Sequence, residues 1–307
     1  MKKLLKRLFY TAALTGAGAL ALASCSGNSD GKIVITAGTK AVPAPFQYEV
    51  ESAEEAVYTT KEGVHLAGYD IAVITEVFKL PEFENYTLDL SVSSNVLVDT
   101  AQGTIDFAIN NYSYNTERAE SYYFSYPYTK SRYTITSALG TSIDSFEELA
   151  DSGLKIYGSA GGNTTNAIER WNATRTAAQS KINLEYSSVD ITVQIEEAIA
   201  GQTALIHDQP VILKYKQTYA SQFEQLNIAV LSDTETATNI TANNTSHILF
   251  GKADAKSKEY QQLISEGIKK LYENGKLAEL GQKWIAEALG DQTVSVLPLA
   301  SDYVYLN

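Results

Sequence analysis

The fold is indicated most directly by the stretch VLVDTAQGTIDFAINN, residues 96–111. It has the pattern of a helix end, a glycine turn, a buried strand over Ile105–Ile109 and then the polar pair Asn110-Asn111. The stretch IEEAIAGQTALIHD, residues 195–208, has the same order and ends on His207-Asp208. A buried strand that ends in polar side chains is therefore predicted twice.

Two such strand ends predict two similar lobes. In open α/β sheets, ligands bind beyond the carboxyl ends of the strands, so two ends in one chain favour lobes that face each other across a cleft. Strand and helix patterns alternate along the 307 residues, which predicts an α/β fold with mainly parallel sheets. We expect a first lobe over 32–135 and 249–290, a second lobe over 136–248, a C-terminal extension over 291–307, and hinges near Thr134–Ala138 and Ile248–Gly251.

Local signals predict the elements of the first lobe. Lys32–Thr36 alternates as a strand that Gly38–Pro45 interrupts, and the acidic residues 49–64 indicate a loop or hairpin. Asp70 is a candidate N-cap for a helix that Pro81 ends.

The second half of the chain carries a capping signal and a long helical pattern. Ser145 and Glu148 have the spacing of a capping box. Lys258–Leu289 is helical in pattern, and Val294–Leu299 is a candidate strand. The predicted breaks in the helical stretch are Gly267, Gly275 and Gly281.

The first residues indicate export. A basic start is followed by the apolar run Leu8–Ala23, which is short for a membrane span and is interrupted by glycines. Leu22–Cys25 resembles the bacterial lipobox, whose cysteine becomes the lipid-bearing first residue; the alternative is an ordinary secretory signal with an incidental cysteine. Cys25 is the only cysteine, so no intramolecular disulfide is possible. We expect a signal peptide over 1–24, a flexible tether over 25–31, and a lipid on Cys25 at the outer face of the cell membrane or in the periplasm.

The charge of the chain argues against nucleic acid as a partner. The formal net charge is −12, and loss of residues 1–24, which hold four basic and no acidic residues, makes it −16. Nucleic-acid phosphates need a basic face. A small ligand responds to its local pocket, so the net charge predicts solubility rather than a ligand.

Six motifs follow one another along roughly residues 32–288. They are Pro43–Phe46, Leu66–Ile71, Asp106–Arg118, Phe124–Tyr128, Ala160–Thr164 and Lys276–Trp284. In this order and spacing they resemble a known family, the type 3 bacterial extracellular solute-binding proteins, which are polar amino-acid receptors of ABC importers. The resemblance implies a monomer with the periplasmic-binding-protein fold and a permease partner in the membrane. It also implies that ligand shifts the cleft from open to closed.

The third motif contains the candidate site for a ligand carboxylate. In the family, this turn binds the α-carboxylate through backbone groups, a hydroxyl and an arginine. A guanidinium binds a carboxylate in bidentate fashion and stays charged. The alternative is a surface Arg118 that pairs with Glu117 or Glu120. The residues that the resemblance implies are Asn110, Asn111, Tyr112, Ser113 and Arg118.

A glycine turn is the second candidate contact for an anion. The turn follows the strand pattern Lys155–Tyr157 and precedes a helix predicted from Thr165. Free N–H groups at a helix start attract anions. The turn lacks the spacing of a dinucleotide fingerprint, and a plain loop is the alternative. The residues of the turn are Gly161, Gly162, Asn163 and Thr164, with their individual roles open.

Asp208 is the candidate partner for a ligand ammonium. In the family, an aspartate at this strand end pairs with the α-ammonium; an N-cap for a helix over Val211–Tyr215, with Pro210 in its first turn, is equally open. Arg118 and Asp208 would then hold opposite ends of one zwitterion. Neither group ordinarily titrates near neutrality, so we expect binding that is nearly independent of mild pH change.

The far end of the ligand is less defined. Lys40 stands where the family often has Asp, Pro43 where an aromatic is frequent, and Ser93 where a bulky residue is usual. Lys40 suggests a carboxylate-bearing far end, as in glutamate or cystine; a solvated lysine is the alternative. Phe46 is a further candidate contact. The predicted ligand is cystine or an acidic or amide amino acid.

No sequence pattern indicates an enzyme, a metal or a cofactor. The three histidines lie far apart, and neither a Gly-x-Ser-x-Gly elbow nor a phosphate-binding loop is present. The rival hypothesis is a dehydratase of the same fold that acts on a prephenate-like substrate with His207 as general acid. A sensor that binds without transport is a third possibility.

Overall fold

The computed structural model describes residues 31–232 and 245–306. The predicted signal peptide, Cys25 and all of the predicted tether except Gly31 lie outside the described residues. Within them, no helix has both the length and the apolar character needed to cross a membrane.

The strands of the described residues, in chain order, are β1 (Ile33–Thr39), β2 (Tyr48–Glu49), β3 (Tyr58–Thr59), β4 (His65–Ala67), β5 (Tyr86–Val92), β6 (Phe107–Ser113), β7 (Tyr122–Phe124), β8 (Thr129–Lys130), β9 (Tyr133–Ala138), β10 (Lys155–Gly158), β11 (Asn183–Tyr186), β12 (Leu205–Asp208), β13 (Leu226–Val230) and β14 (Thr245–Gly251).

The α-helices are α1 (Tyr69–Val77), α2 (Val96–Ala101), α3 (Thr116–Ser121), α4 (Phe146–Ser152), α5 (Asn163–Ala173), α6 (Ile191–Ile199), α7 (Gln209–Thr218), α8 (Ala220–Phe223), α9 (Lys256–Glu273) and α10 (Lys276–Gly281). A π-helical segment, Gln282–Glu287, follows α10, and 3₁₀ turns lie at Pro81–Phe83 and Ala300–Asp302.

The first lobe is built on a six-stranded sheet of order β5-β1-β6-β14-β7, in which β8 also pairs with β14. The pairs β1–β5 and β1–β6 are parallel, whereas β14 runs antiparallel to β6, β7 and β8. One strand therefore opposes the direction of the other five. Helices α1 and α9 pack on this sheet through fully buried side chains such as Ile74 and Ile264.

The second lobe has the same plan. β10 and β11 pair in parallel, a parallel bridge joins Lys155 to Thr203 just before β12, and β9 lies antiparallel between β12 and β13. Its core contains Ile135, Phe146 and Ile168, all fully buried. The predicted α/β architecture of two lobes with mainly parallel sheets is confirmed.

The crossovers between the lobes lie earlier in the chain than predicted. β9 belongs wholly to the second sheet and β14 wholly to the first, so the predicted boundaries at 135/136 and 248/249 cut through both strands. The chain crosses between Lys130 and Tyr133 and returns between Val230 and Thr245. The predicted hinge ranges lie in strands that are paired on both sides, because apolar alternation marks a strand without marking its sheet.

Two local predictions near β1 have different outcomes. β1 continues through Gly38 to Thr39. A side chain at Gly38 would approach Ile105 Cδ1 within 2.7 Å, so the glycine permits close packing and does not end the strand. Of the loop or hairpin predicted for residues 49–64, the structure has the hairpin: β2 and β3 both pair antiparallel with β4, which begins at His65.

The two predicted helix starts also have different outcomes. Helix α1 begins at Tyr69 with Gly68 as its N-cap at φ 111°, so Asp70 lies in the first turn and is not the cap. Ser145 does cap α4: its hydroxyl accepts from the Glu148 N–H at 3.3 Å, while Glu148 accepts from the N–H of Asp144 at 3.0 Å, one residue before the usual capping-box partner.

The predicted helical stretch Lys258–Leu289 is helical, with one of its three predicted breaks. Gly275, at φ 81°, separates α9 from α10. Gly267 lies inside α9, where it packs against Val77 and Phe83, and Gly281 lies within continuous helix. No strand forms over Val294–Leu299; among its described contacts, the Val296 carbonyl accepts from the Lys130 N–H at 2.8 Å.

Candidate functional site

The two lobes enclose a cavity of about 410 Å³. The carboxyl ends of β6 and β12 both reach its wall, as the paired sequence patterns predict. The predicted site residues that line it are Asn110, Asn111, Tyr112, Ser113, Arg118, Asn163, Thr164 and Asp208.

The first-lobe wall is the end of β6. Asn111 has a φ of 48°, in the left-handed region that non-glycine residues rarely adopt. Its N–H donates to Asp70 Oδ2 at 2.7 Å and lies 3.1 Å from the Tyr128 hydroxyl. Behind the wall, Asn110 Oδ1 accepts from the Lys40 N–H at 2.8 Å. These bonds determine the conformation of the turn from the core side.

Arg118 is held in the cavity wall by neutral groups. Asn115 caps α3 by accepting from the Arg118 N–H at 2.7 Å. The guanidinium donates to the carbonyls of Ser113 at 2.8 Å and Gly161 at 3.4 Å, and lies 5.3 Å from the centre of the Tyr112 ring. Burial lowers the pKa of Arg118 from its ordinary value, yet an arginine side chain stays charged at neutral pH.

Arg118 does not behave as the surface alternative predicted. Glu117 forms its ion pair with Arg170, at 3.8 Å. Within residues 31–232 and 245–306, no carboxylate oxygen lies within 4 Å of the Arg118 guanidinium. A cation that lines a cavity without an anionic partner is suited to bind an anionic ligand group.

Asp208 faces the same cavity from the second lobe. It occupies the N-cap position of α7, with Pro210 in the first turn, but its side chain makes no capping bond. Instead, its carboxylate accepts from the Ser131 hydroxyl. Burial is the largest influence on the group and raises its pKa to about 6. The arrangement leaves a carboxylate available to a cationic ligand group.

The glycine turn lies beside Asp208 and Arg118 but contributes differently from the prediction. Gly162 is the N-cap of α5, which begins at Asn163, two residues earlier than predicted. The first intrahelical bond joins the Asn166 N–H to the Gly162 carbonyl at 2.9 Å, so the N–H groups of the preceding helical residues have no intrahelical acceptor. Asn163 and Thr164 line the cavity; Gly161 and Gly162 do not.

Two further predicted contacts lie away from the cavity. Phe46 is fully buried in the core of the first lobe, because a large apolar side chain next to the hairpin packs under α1. Lys40 is exposed and is not among the lining residues. Ser93 is also absent from the lining and donates to Asp99 at 3.0 Å.

Tyr133 is a cavity residue that the sequence did not reveal. It is the first residue of β9, directly after the crossover, and its hydroxyl accepts from Asn163 Nδ2 at 2.9 Å and lies 3.4 Å from Ser113 Oγ. Burial raises its pKa above the ordinary value, so the hydroxyl stays protonated. Tyr133 therefore joins the walls of the two lobes. In the sequence, only its position between the motifs Phe124–Tyr128 and Ala160–Thr164 could have indicated this role.

The remaining wall is uncharged and mostly polar. The residues that sequence reasoning missed there are Tyr157, Gly158, Ser159, Thr165, Ser187, Gln194 and Ile206. His207 is the pocket wall that the sequence allowed, and burial lowers its pKa to about 4, which keeps it neutral. Among the described lining residues, Arg118 and Asp208 are the charged ones at neutral pH. The described residues contain no cluster of three or more metal-ligating side chains.

The fold and this cleft define a class: a two-lobed solute-binding protein with opposite charges on facing sheet edges. The profile of the bacterial extracellular solute-binding proteins, family 3, matches residues 49–287, and the chain belongs to this family. The family resemblance seen in the sequence motifs is confirmed.

The proteins to which this chain is similar include two that are named for L-cystine. The chain is 30% identical over 229 residues to the L-cystine-binding protein TcyJ of Bacillus subtilis, an alignment that covers 72% of this chain and 76% of TcyJ. It is 23% identical over 308 aligned residues to the L-cystine-binding protein TcyA of the same organism, covering 94% and 98%. A solved structure from work on glutathione import through GshT and the cystine ABC importer TcyBC of Streptococcus mutans has a TM-score of 0.69 at 23% identity, covering 88% of this chain and 99% of that one.

Proposed function

We propose that this protein is the substrate-binding component of an ABC importer and that it captures a polar α-amino acid between its two lobes. The observation that carries the proposal is the placement of Arg118 and Asp208 on opposite walls of one cavity. An α-amino acid presents a carboxylate and an ammonium on the same carbon, so one zwitterion can satisfy both groups. The family and its described relatives support this assignment.

The cavity favours a ligand whose far end carries no net charge. Beyond the two poles, the described lining consists of neutral hydroxyl, amide and imidazole groups together with Pro43, Gly158 and Ile206. Burying an unpaired charge against them would be unfavourable. Lys40 was the reason to expect an acidic ligand, and it does not line the cavity. Acidic amino acids are therefore less favoured as ligands. Cystine, whose second half is itself a zwitterion, and the amide amino acids fit best; the two relatives named for L-cystine favour cystine.

Ligand capture is proposed to close the cleft. Because Arg118 is on the first lobe and Asp208 on the second, a ligand gains both contacts only when the lobes approach. The first crossover between the sheets lies between Lys130 and Tyr133, and we place a hinge there. The bound form would then be recognised by a membrane permease.

Membrane attachment is proposed to occur through Cys25, which the lipobox-like residues 22–25 provide. The tether before β1 would keep the binding lobes at the outer face of the membrane. An extracellular location agrees with the family. We further propose that the protein binds without chemical conversion, because His207, the candidate general acid, is kept neutral by burial and its pKa lies at about 4.

The proposal is tested by a thermal-shift screen of the amino acids and cystine, followed by calorimetric titration of the best ligand. Arg118→Ala should weaken binding by about 30-fold or more, because it removes a buried cation from a charge-assisted contact. Lys40→Ala is the matched control: it also removes one positive charge from the first lobe, but from an exposed position outside the lining.

Retained affinity in Arg118→Ala, or an equal loss in Lys40→Ala, would contradict the assigned carboxylate site. Tightest binding of arginine or lysine would contradict the neutral far end. Turnover of a prephenate-like compound by the wild-type protein would overturn the assignment as a binding protein.

A further inference from the structure

Asp70 is a buried carboxylate with no described role in the cavity. It is fully buried in the first turn of α1 and does not line the cavity. No ion pair within the described residues includes it. Burying a carboxylate without an ion-pair partner costs free energy. The contacts of Asp70 therefore indicate what the residue contributes.

Its hydrogen bonds lead to the cavity wall. Asp70 Oδ2 accepts from the Asn111 N–H at 2.7 Å, and the Tyr128 hydroxyl lies 3.1 Å from the same N–H. The second oxygen, Oδ1, is buried without a partner. Tyr128 is itself fixed, since its ring stacks on Tyr69 and its carbonyl accepts from the Tyr69 hydroxyl at 2.8 Å. A rigid shell therefore lies directly behind Asn111.

Asn111 needs that shell because its backbone is strained. Its φ of 48° is left-handed, a conformation that costs a residue with a side chain about 1 kcal/mol. The side chain adds little, since its contact with Thr129 Oγ1 is long, at 3.4 Å. Of these three contacts of Asn111, the hydrogen bond from its N–H to Asp70 is the shortest.

The conformation of Asn111 determines what the wall presents. With the Asn111 N–H directed into the core, the Asn110 carbonyl of the same trans peptide points the opposite way. The following residues, Tyr112 and Ser113, also line the cavity, and the Ser113 carbonyl holds the Arg118 guanidinium. A change at Asn111 would move the groups that contact the ligand.

We propose that Asp70 is a positioning residue for ligand binding: its carboxylate holds Asn111 in the left-handed conformation that arranges the β6 end of the cavity. The inference rests on the proposed amino-acid site. It assigns to Asp70 an effect on affinity without contact with the ligand.

The experiment compares one substitution that removes only the charge of Asp70 with one that removes both the charge and the hydrogen-bond acceptor. Asp70→Asn keeps an oxygen acceptor at the Oδ2 position and places its amide nitrogen where Oδ1 has no partner; Asp70→Ala removes the acceptor. Affinity for L-cystine, or for the best ligand of the screen, is measured by calorimetry at a temperature where all variants are folded. We expect Asp70→Ala to weaken binding by about tenfold or more and Asp70→Asn by about threefold or less.

A core variant separates positioning from general destabilisation. Ile74 is fully buried on the same helix, α1, and does not contact the turn through a hydrogen bond. Ile74→Ala should lower the melting temperature as Asp70→Ala does, yet change affinity by about twofold or less. Unchanged affinity in Asp70→Ala, or an equal loss in Ile74→Ala, overturns the inference. Absence of any amino-acid binding by the wild-type protein would instead overturn the proposed function.

Discussion

The carboxylate of Asp208 loses most of its hydration in the cleft wall and receives one side-chain hydrogen bond in return, from Ser131. Burial favours the neutral acid, which is why its pKa rises to about 6. The expectation of pH-independent binding assumed an ordinary aspartate, and the raised pKa of Asp208 replaces it with a predicted dependence at acidic pH.

Ligand affinity is predicted to fall as the pH drops below about 6. A bound ammonium stabilises the ionised carboxylate, so the pKa of Asp208 is lower in the complex than in the free protein, and binding releases a proton at acidic pH. The contribution of Asp208 to affinity should be constant above its pKa in the free protein and should weaken by up to about tenfold per pH unit below that pKa. Calorimetric titrations at pH 5, 6 and 7 measure the slope.

Asp208→Asn supplies the control for that slope, since it cannot ionise and should bind weakly with a flatter profile. His207, with a pKa of about 4, stays neutral over this range. Asp70, whose pKa burial raises to about 7, is present in both proteins, so the difference between their profiles reports Asp208. An identical pH profile in the wild type and in Asp208→Asn would contradict the assignment of Asp208 to the ligand ammonium.

At the scale of elements, the packing of β14 against α2 depends on one glycine. A side chain at Gly251 would overlap the carbonyl oxygen of Thr100 and lie 2.9 Å from its carbon and 3.2 Å from Ala101 Cα, all of which are backbone atoms. Backbone cannot move aside as a flexible side chain can. The central strand and the helix can therefore approach only with glycine at this position.

Gly251→Ala is predicted to destabilise the protein by about 3 kcal/mol. Gly281→Ala is its matched control: Gly281 is helical, its nearest outside atom would lie at 3.7 Å, and replacing a helical glycine should be neutral or stabilising by about 0.5–1 kcal/mol. Chemical denaturation of the two variants and the wild type gives the comparison. Equal stability of both variants would show that the strand–helix contact can relax.

At the scale of the whole molecule, the C-terminal extension is part of the first lobe. Val294 and Val296 are buried in its core, and Asp302 pairs with Lys130 at 3.0 Å, just before the crossover to the second lobe. The ring of Tyr305 stacks on Tyr126 with centroids 4.4 Å apart. The extension covers apolar surface behind the cleft rather than entering it.

Deletion of residues 291–307 is predicted to lower the free energy of unfolding by about 3 kcal/mol or more, because two buried valines are lost. Ligand affinity should change by about threefold or less, since none of the described residues of the extension lines the cavity. Thermal unfolding and calorimetry test the two parts. Leu299→Ala, at a residue 57% exposed, should leave both unchanged. A large loss of affinity on deletion would instead link the extension to the site.

Much of the fold could be predicted from short-range patterns. The two strands that end in polar residues, the hairpin, the capping serine at residue 145 and the break at Gly275 follow from local periodicity and turn chemistry. Three of the predictions that failed concern Gly38, Gly267 and Gly281. A glycine has the same local signal whether it ends an element or allows close packing, and only neighbours distant in the chain decide between the two.

For the candidate site, the sequence predicted the two strand ends, and the family resemblance implied Arg118 and Asp208 as the charged residues beside them. The tertiary structure decided the rest, including the entry of Tyr133 and Gln194 into the wall and the exclusion of Lys40 and Phe46. It also decided the contact of Asp70 with Asn111 and the raised pKa of Asp208. The physical reason is that burial and hydrogen bonding depend on residues brought together across long stretches of chain, whereas periodicity reports only the face of an element.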